Sequence, residues 1–229
     1  MTSSSKWMLW LRWVAANAFG ELFGLGATLA VVAYVFARSG DQPGAGMVMV
    51  SFLIAVASGA LEATLVGLAQ WWAMAPWFPT ISRRVWWLAT VAGAVVAYAL
   101  GYLPSTLMSL GEEASQTPMA EPPQWIVLLL AAGLGAVAGA VLSFAQWLAM
   151  RKSVEQAGWW IPANMVAWLV GMPIIFVGID AAQKGQSLLR AGLLLAGCLF
   201  LTGAVVGAIH GVMLVRLAGR AGGHALQSA

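Results

Sequence analysis

The sequence is poor in charge and in cysteine. Only 8% of its 229 residues are charged, whereas 61% are hydrophobic and the mean hydropathy is +0.85. A soluble domain carries about 25% charged residues, which cover its surface, so this composition excludes a soluble globular fold. The single cysteine, Cys198, cannot form an intramolecular disulfide or a paired-cysteine metal or redox site. The net charge of +3 is too small to indicate a nucleic-acid partner.

The sequence also lacks the motifs that would define an enzyme. It contains no GxxxxGK[ST] phosphate loop, no HExxH zinc helix and no GxSxG nucleophile turn. One of the two histidines, His224, falls in the C-terminal tail, so a haem held by two membrane histidines is excluded. We therefore expect neither an enzyme nor a bound cofactor or metal.

Six long apolar segments are present instead. A membrane-spanning helix needs about 20 mostly apolar residues, and none of the six segments alternates with the period of two that a lipid-facing strand requires. We predict an all-α integral membrane protein with one domain, residues 1–229, and six transmembrane helices surrounded by lipid. The predicted spans are about 13–37, 47–74, 85–110, 124–150, 161–182 and 188–217.

Lysine and arginine are distributed unevenly over the segments between these spans. The outer segment between the third and fourth spans holds Glu112, Glu113 and Glu121 and no basic residue. The positive-inside rule therefore predicts that both termini are cytoplasmic, and this compact plan is typical of a bacterial cytoplasmic (inner) membrane. With that orientation eight basic residues lie inside and three outside, the inner ones being Lys6, Arg12, Arg83, Arg84, Arg151, Lys152, Arg216 and Arg220.

A short phrase occurs twice, as GLAQWWAM at residues 67–74 and as SFAQWLAM at residues 143–150. Small residues precede both glutamines at intervals of four, so they lie along one helix face and allow a neighbouring helix to approach closely. The sixth span repeats this frame with a histidine in place of the glutamine. The predicted packing residues are Gly59, Ala63 and Gly67 before Gln70, Gly135, Gly139 and Ser143 before Gln146, and Gly203 and Gly207 before His210.

The odd-numbered spans repeat a second phrase. WWLAT opens the third span, WWIPAN opens the fifth, and the first contains WVAAN. We therefore predict three pseudo-symmetric helical hairpins, 2–3, 4–5 and 6 with 1, in a circularly permuted repeat. With these phrases, the chain resembles uncharacterised bacterial multi-pass membrane proteins built from small-xxx-small, QW and W-x-x-A/T-N segments. The resemblance implies this fold and no activity.

Two glutamates inside the spans are the sharpest functional candidates, because a carboxylate is costly in hydrocarbon. Glu21 and Glu62 both lie about 15 Å from the inner aromatic residues at 1.5 Å per residue, so they can meet if their helices are neighbours. Both depart from the repeat, since Glu21 stands where Trp168 and Val95 stand and Glu62 where Ala138 stands. With no Lys or Arg at that depth, we expect one or both to be protonated or to share a proton.

A second polar layer lies closer to the predicted cytoplasmic end and comprises Asn17, Gln70, Gln146, Asn164 and His210. Such side chains in membrane helices commonly join helices by hydrogen bonds. Ten of the 13 tryptophans also lie near that end, where we predict an interfacial belt that includes Trp13, Trp86 and Trp160.

Two main hypotheses for function follow. The first is a structural or accessory membrane module that packs against partner subunits or further copies of itself, or holds a lipid-like molecule. The second is a small-solute or proton-coupled transport component that uses Glu21 and Glu62. Transporters usually contain broken helices, and here Pro173 predicts one, while Pro104 predicts an early end to the third span. A water-accessible cavity between the two glutamates that opens to one side favours transport, and a closed hydrogen-bonded pair favours the structural module.

A remote third hypothesis is pigment or haem binding through His210, since an imidazole can ligate a metal.

Overall fold

In a computed structural model the chain folds into six long helices. The structure describes residues 1–39, 44–115, 122–184 and 187–227, and no strand occurs among them. All six helices are long and apolar enough to cross a membrane, which confirms the predicted all-α class and the number of such segments. They are α1 (Ser3–Ser39), α2 (Ala45–Met74), α3 (Arg83–Ser115), α4 (Gln124–Met150), α5 (Trp160–Gln183) and α6 (Leu188–Gln227), and a short 3₁₀ helix, Ala157–Trp159, precedes α5.

The first and last helices extend well beyond the predicted spans. α1 begins at Ser3 rather than near residue 13, and α6 continues to Gln227 rather than ending near residue 217. Hydropathy detects only the apolar part of a helix, whereas the backbone hydrogen bonds continue into the polar residues that flank it. Glu121 of the predicted outer segment lies outside the described residues.

Neither internal proline interrupts its helix, so both predictions about them are wrong. α3 runs unbroken through Pro104 and α5 through Pro173. Backbone groups freed by a break in apolar surroundings would find no water, so the helix persists with the loss of one hydrogen bond at each proline. Gly171, next to the second proline, allows close packing instead, because a β-carbon there would overlap the side chain of Val206 in α6.

The helices form a closed ring in chain order. Each packs against the helices adjacent to it in sequence, and α1 packs against α6. Neighbours are antiparallel, as in the α1–α2 pair, where Gly20 lies against Val66 and Gly24 against Glu62. The start of α1 and the end of α6 therefore lie at one end of the bundle, called the tryptophan end below. The opposite end, called the far end, holds the end of α1 and the start of α2.

The predicted packing residues lie where α2 meets α3, α4 meets α5 and α6 meets α1. A β-carbon on Gly59 would lie 2.5 Å from the Tyr98 ring, one on Gly139 would lie 2.6 Å from the backbone oxygen of Asn164, and one on Gly207 would lie 3.1 Å from the backbone of α1. At Gly59 and Gly139 these distances are too short for a β-carbon unless the helices or side chains shift, and at Gly207 the neighbour would have to move by a few tenths of an ångström. The remaining predicted packing residues, all buried, are Ala63, Gly67, Gly135, Ser143 and Gly203.

Apolar side chains fill the tryptophan end of the bundle. Met74, Met150 and Leu214 come one helical turn after the two glutamines and the histidine of the repeated frame, and none of the three has exposed surface. Phe78 and Leu9 pack into the same cluster. This end of the bundle is therefore closed by a continuous apolar core.

Candidate functional site

The seven polar side chains singled out from the sequence are all buried. A cavity of about 30 Å³ lies in the middle of the bundle, and six of the seven line it. A water molecule needs about 10–15 Å³ of such space, so the cavity has room for two or three water-sized groups. The six are Asn17, Glu21, Glu62, Gln70, Asn164 and His210.

Three amide side chains form one hydrogen-bonded chain across the bundle. Gln70 Nε2 donates to Asn17 Oδ1 at 2.9 Å, and Gln146 Nε2 donates to Gln70 Oε1 at 3.3 Å. Gln146 Nε2 also donates to Thr90 Oγ1 at 3.0 Å. The chain joins α1, α2, α3 and α4, so these amides hold helices together.

Three tryptophans pack together on the tryptophan-end side of this polar layer. Trp13, Trp86 and Trp160 are 0% exposed, and their ring centroids lie 5.8 to 6.4 Å apart. These separations are typical of edge-to-face aromatic packing. The prediction that these three belong to an interfacial belt is therefore wrong, because helix rotation turns them inward while Trp7 and Trp72 remain exposed.

The backbone carbonyl oxygen of each of these tryptophans accepts a hydrogen bond from the polar side chain four residues later in the sequence. The three bonds, between 2.8 and 2.9 Å long, run from Asn17 to Trp13 O, from Thr90 to Trp86 O and from Asn164 to Trp160 O. These bonds align the sequences of α1, α3 and α5, with Trp13, Trp86 and Trp160 at equivalent positions.

This alignment corrects one position of the sequence comparison. Four residues after Asn17, Thr90 and Asn164 come Glu21, Ala94 and Trp168. Glu21 therefore corresponds to Ala94 in α3 and not to the neighbouring valine at position 95. The correspondence with Trp168 in α5 agrees with the prediction.

The indole N–H groups of two of these tryptophans reach the polar layer. Trp13 Nε1 donates to His210 Nδ1 at 2.8 Å, and Trp160 Nε1 donates to Gln146 Oε1 at 2.9 Å. Trp86 Nε1 is buried and has no hydrogen-bond partner in the described part of the chain. An indole can only donate, so His210 Nδ1 is the acceptor, and a ring that accepts there is neutral and carries its proton on Nε2.

The two glutamates meet on the far side of the polar layer. Glu21 is 2% and Glu62 8% exposed, and both line the small cavity. Gly24 makes this possible, because a β-carbon there would lie 3.0 Å from the Glu62 side chain. The Tyr98 hydroxyl donates a hydrogen bond to Glu62, whereas Glu21 Oε2 is buried without a partner among the described residues. None of the described residues lining this cavity is Lys or Arg.

A second cavity, of about 350 Å³, occupies the far half of the bundle. Side chains from α1 to α5 line it, and most are apolar. It reaches from the level of Ala94 to that of Ser105 in α3, a length of about 16 Å at 1.5 Å per residue. Ligand pockets have volumes of about 300–1,000 Å³ and mainly apolar walls, so the cavity has the size and chemistry to hold a small amphipathic molecule.

Glu62 lies at the junction of the two cavities. It lines both of them, together with Ala94, Leu142 and Trp168. Tyr98, the hydrogen-bond donor to Glu62, lines the large cavity. The large apolar space therefore ends at a carboxyl group and a phenol, and beyond them lies the small polar space that contains Glu21.

Two elements of this site are not identified from the sequence. Gly20 and Gly24 form a small-xxx-small pair around Glu21, and a search of the first span for this spacing would find them. Tyr98 carries no local signal, because its contact with Glu62 depends on the register between α2 and α3.

Comparison with known proteins gives no assignment for this site. No protein-family model matches the chain, and comparisons with curated proteins and with solved structures find no match. Among the residues that the structure describes, no group of three or more His, Cys, Asp or Glu could hold a metal ion.

Proposed function

We propose that the chain is an integral membrane protein with six transmembrane helices and both termini in the cytoplasm, in a bacterial inner membrane. Apolar side chains on the outside of the bundle support insertion, since Leu129 and Leu130 are 64% and 65% exposed and such surfaces need lipid around them. The Arg12 guanidinium carbon lies 4.4 Å from the centre of the Trp72 ring near the termini. Basic and tryptophan side chains at one end are typical of a cytoplasmic interface.

We also propose that the six helices are three copies of one hairpin. The shared tryptophan-to-polar spacing in α1, α3 and α5 supports this repeat, and so do the glycines that face them from α6, α2 and α4. Glu21 and Glu62 are departures from the repeat, and both belong to the candidate site.

Within this fold we propose an accessory role in which the bundle holds a lipid-like amphipathic molecule. The observation that carries this proposal is the large apolar cavity that ends at Glu62 and Tyr98. A bundle that serves only as a scaffold gains from dense packing. The cavity of about 350 Å³ interrupts this packing, and its mainly apolar wall offers a bound amphipathic molecule both space and contacts.

Cavity filling tests this proposal. Ala138→Trp places a large side chain in the cavity, and Val137→Trp places the same side chain on the outer surface of α4, where Val137 is 55% exposed. Mass spectrometry of washed protein in nanodiscs should find less bound amphiphile in Ala138→Trp than in the wild type, and no loss in Val137→Trp. Equal occupancy in the two variants, both with wild-type melting behaviour, would contradict the proposal.

Transport is a second candidate, because the two cavities share lining residues and together reach from the far half to the polar layer. Passage through the bundle would require Trp13, Trp86 and Trp160 to separate. Flux measurements in proteoliposomes distinguish the two roles. Solute or proton uptake that is lost in Glu62→Gln would favour transport over ligand holding.

Pigment or haem binding through His210 finds no support in this geometry. The space beside the imidazole is about 30 Å³, which is far smaller than a macrocycle. One ring nitrogen already accepts the hydrogen bond from Trp13.

A further inference from the structure

We propose that the ligand of the large cavity is an amphipathic amine, whose ammonium group lies between Glu21 and Glu62 and whose apolar body fills the large cavity. This inference rests on the ligand-holding function proposed above and names the chemical class of the ligand. Three observations carry it: the size of the small cavity, its charge, and the position of Glu62.

The small cavity matches the head of such a ligand in size. Its volume of about 30 Å³ admits a group the size of water or of an ammonium ion. A phosphate or a sugar headgroup is much larger and would have to displace helices. Glu62 lines both spaces, so one molecule can place its head in the small cavity while its tail stays in the large one.

The small cavity lacks a positive charge that would complement its two carboxyl groups. Its lining, all within the described residues, includes Glu21 and Glu62 and no Lys or Arg. His210 supplies no charge, because its Nδ1 accepts the indole hydrogen of Trp13. A carboxyl group buried here can ionise only at a high cost unless a cation lies beside it. A bound ammonium group supplies that cation, so it is stabilised more here than in any other part of the two cavities.

The carboxyl oxygen of Glu21 that lacks a hydrogen-bond donor also favours an ammonium group over a hydroxyl as the head of the ligand. Glu21 Oε2 is buried with no donor among the described residues, and Glu62 accepts one hydrogen bond from them, donated by Tyr98. An ammonium offers three donors and a positive charge, whereas an alcohol offers one donor and no charge. A carboxylate ligand would add a third acidic group and be repelled. The aromatic rings of Tyr98, Tyr102 and Trp168 border the large cavity and add attraction for a cation near its polar end.

Three ligands with one tail test this assignment. Decylamine, decanol and decanoate are titrated at pH 7 into the protein in nanodiscs of zwitterionic lipid, and binding to empty nanodiscs is subtracted. We expect decylamine to bind about tenfold or more tightly than decanol, and decanoate to bind most weakly. In Glu21→Gln and in Glu62→Gln the preference for the amine should fall to less than about threefold, while the affinity for decanol changes little.

Asp180→Asn provides the matched control, because it removes an exposed carboxylate that pairs with Lys184 at the far end and lines neither cavity. It should retain the full preference for decylamine. Equal binding of decylamine and decanol, both abolished in Ala138→Trp, would overturn the amine inference and leave the ligand-holding function standing. An amine preference that survives in both glutamate variants would also overturn it. Binding of none of the three ligands would instead contradict the proposed function.

Discussion

Trp86 and Trp160 allow the value of one buried hydrogen bond to be measured against a matched control. Both side chains are 0% exposed and belong to the same cluster, so replacing either by phenylalanine removes a similar apolar area and leaves a similar void. They differ in one respect. Trp160 Nε1 donates to Gln146 Oε1 at 2.9 Å, whereas Trp86 Nε1 has no partner among the described residues.

These contacts determine how much the free energy of unfolding should differ between Trp160→Phe and Trp86→Phe. Trp160→Phe leaves the Gln146 oxygen without its donor, and an unsatisfied buried group costs about 1–3 kcal/mol. Hydrogen bonds between membrane helices average about 0.6 kcal/mol and reach about 1.7 kcal/mol. Trp86→Phe removes a donor that is already unsatisfied, so it carries no such cost. We expect Trp160→Phe to be less stable than Trp86→Phe by about 1–2 kcal/mol, a factor of about 5–30 in the ratio of folded to unfolded protein.

Equilibrium unfolding in mixed micelles with increasing dodecyl sulfate, followed by circular dichroism, measures this difference. Trp13→Phe removes the donor to His210 Nδ1 and should resemble Trp160→Phe. Equal stability of the three variants would refute the assignment of these two indole hydrogen bonds, and so would a Trp86→Phe variant that is the least stable of the three.

Other substitutions and measurements probe the packing, the orientation and the carboxyl groups. Gly139→Ala should destabilise the fold by about 1–3 kcal/mol, because the new methyl group would overlap the backbone oxygen of Asn164. Gly133→Ala is the control, because nothing lies within 4 Å of a β-carbon there, and it should leave the stability unchanged. Similar unfolding curves for the two variants would contradict this packing. A reporter fused after Ala229 should be cytoplasmic, and an external signal would reverse the proposed orientation. Infrared spectra of ligand-free protein should contain a protonated-carboxyl band that weakens in Glu21→Gln, and a band unchanged in this variant would contradict that expectation.

The six helices could be predicted because the physics of the bilayer leaves few choices. A segment of about 20 apolar residues must satisfy its backbone within itself, and a helix does so at every position. The ends of α1 and α6 could not be placed, because hydropathy is silent about a helix that continues into polar sequence. Pro104 and Pro173 do not interrupt their helices, because a full break of a helix in apolar surroundings costs more free energy than the one backbone hydrogen bond that each proline removes.

The polar residues of the site could also be found one by one, because each is costly in hydrocarbon and therefore conspicuous. Their partners could not. Glu62 pairs with Tyr98 on another helix, and the sequence does not specify the register of α2 against α3. Tryptophan is frequent at membrane interfaces, so residue type alone predicts an interfacial position for the three central tryptophans. The spacing of four between Trp13 and Asn17, repeated at Trp160 and Asn164, is the signal that places them on one inward face.

The three central tryptophans differ in their indole hydrogen bonds. Trp160 donates to Gln146 and Trp13 donates to His210, the residues at the glutamine position of the phrase that recurs in the sequence. The corresponding acceptor for Trp86 would be Gln70, whose oxygen instead accepts from Gln146 while its nitrogen donates to Asn17. Among the described residues, Trp86 Nε1 is therefore the one of these three indole donors that is left without an acceptor.

A photocrosslinking map tests most directly whether the large cavity holds a ligand. Decylamine and decanol analogues with a diazirine at the tail end are irradiated with the protein in nanodiscs, and the labelled residues are identified by mass spectrometry. We expect labelling of Leu134, Met172 and Ile175, which line the large cavity, and its loss with excess unlabelled ligand. Labelling confined to residues on the outside of the bundle, such as Leu129 and Leu130, and insensitive to the competitor, would contradict a ligand in this cavity.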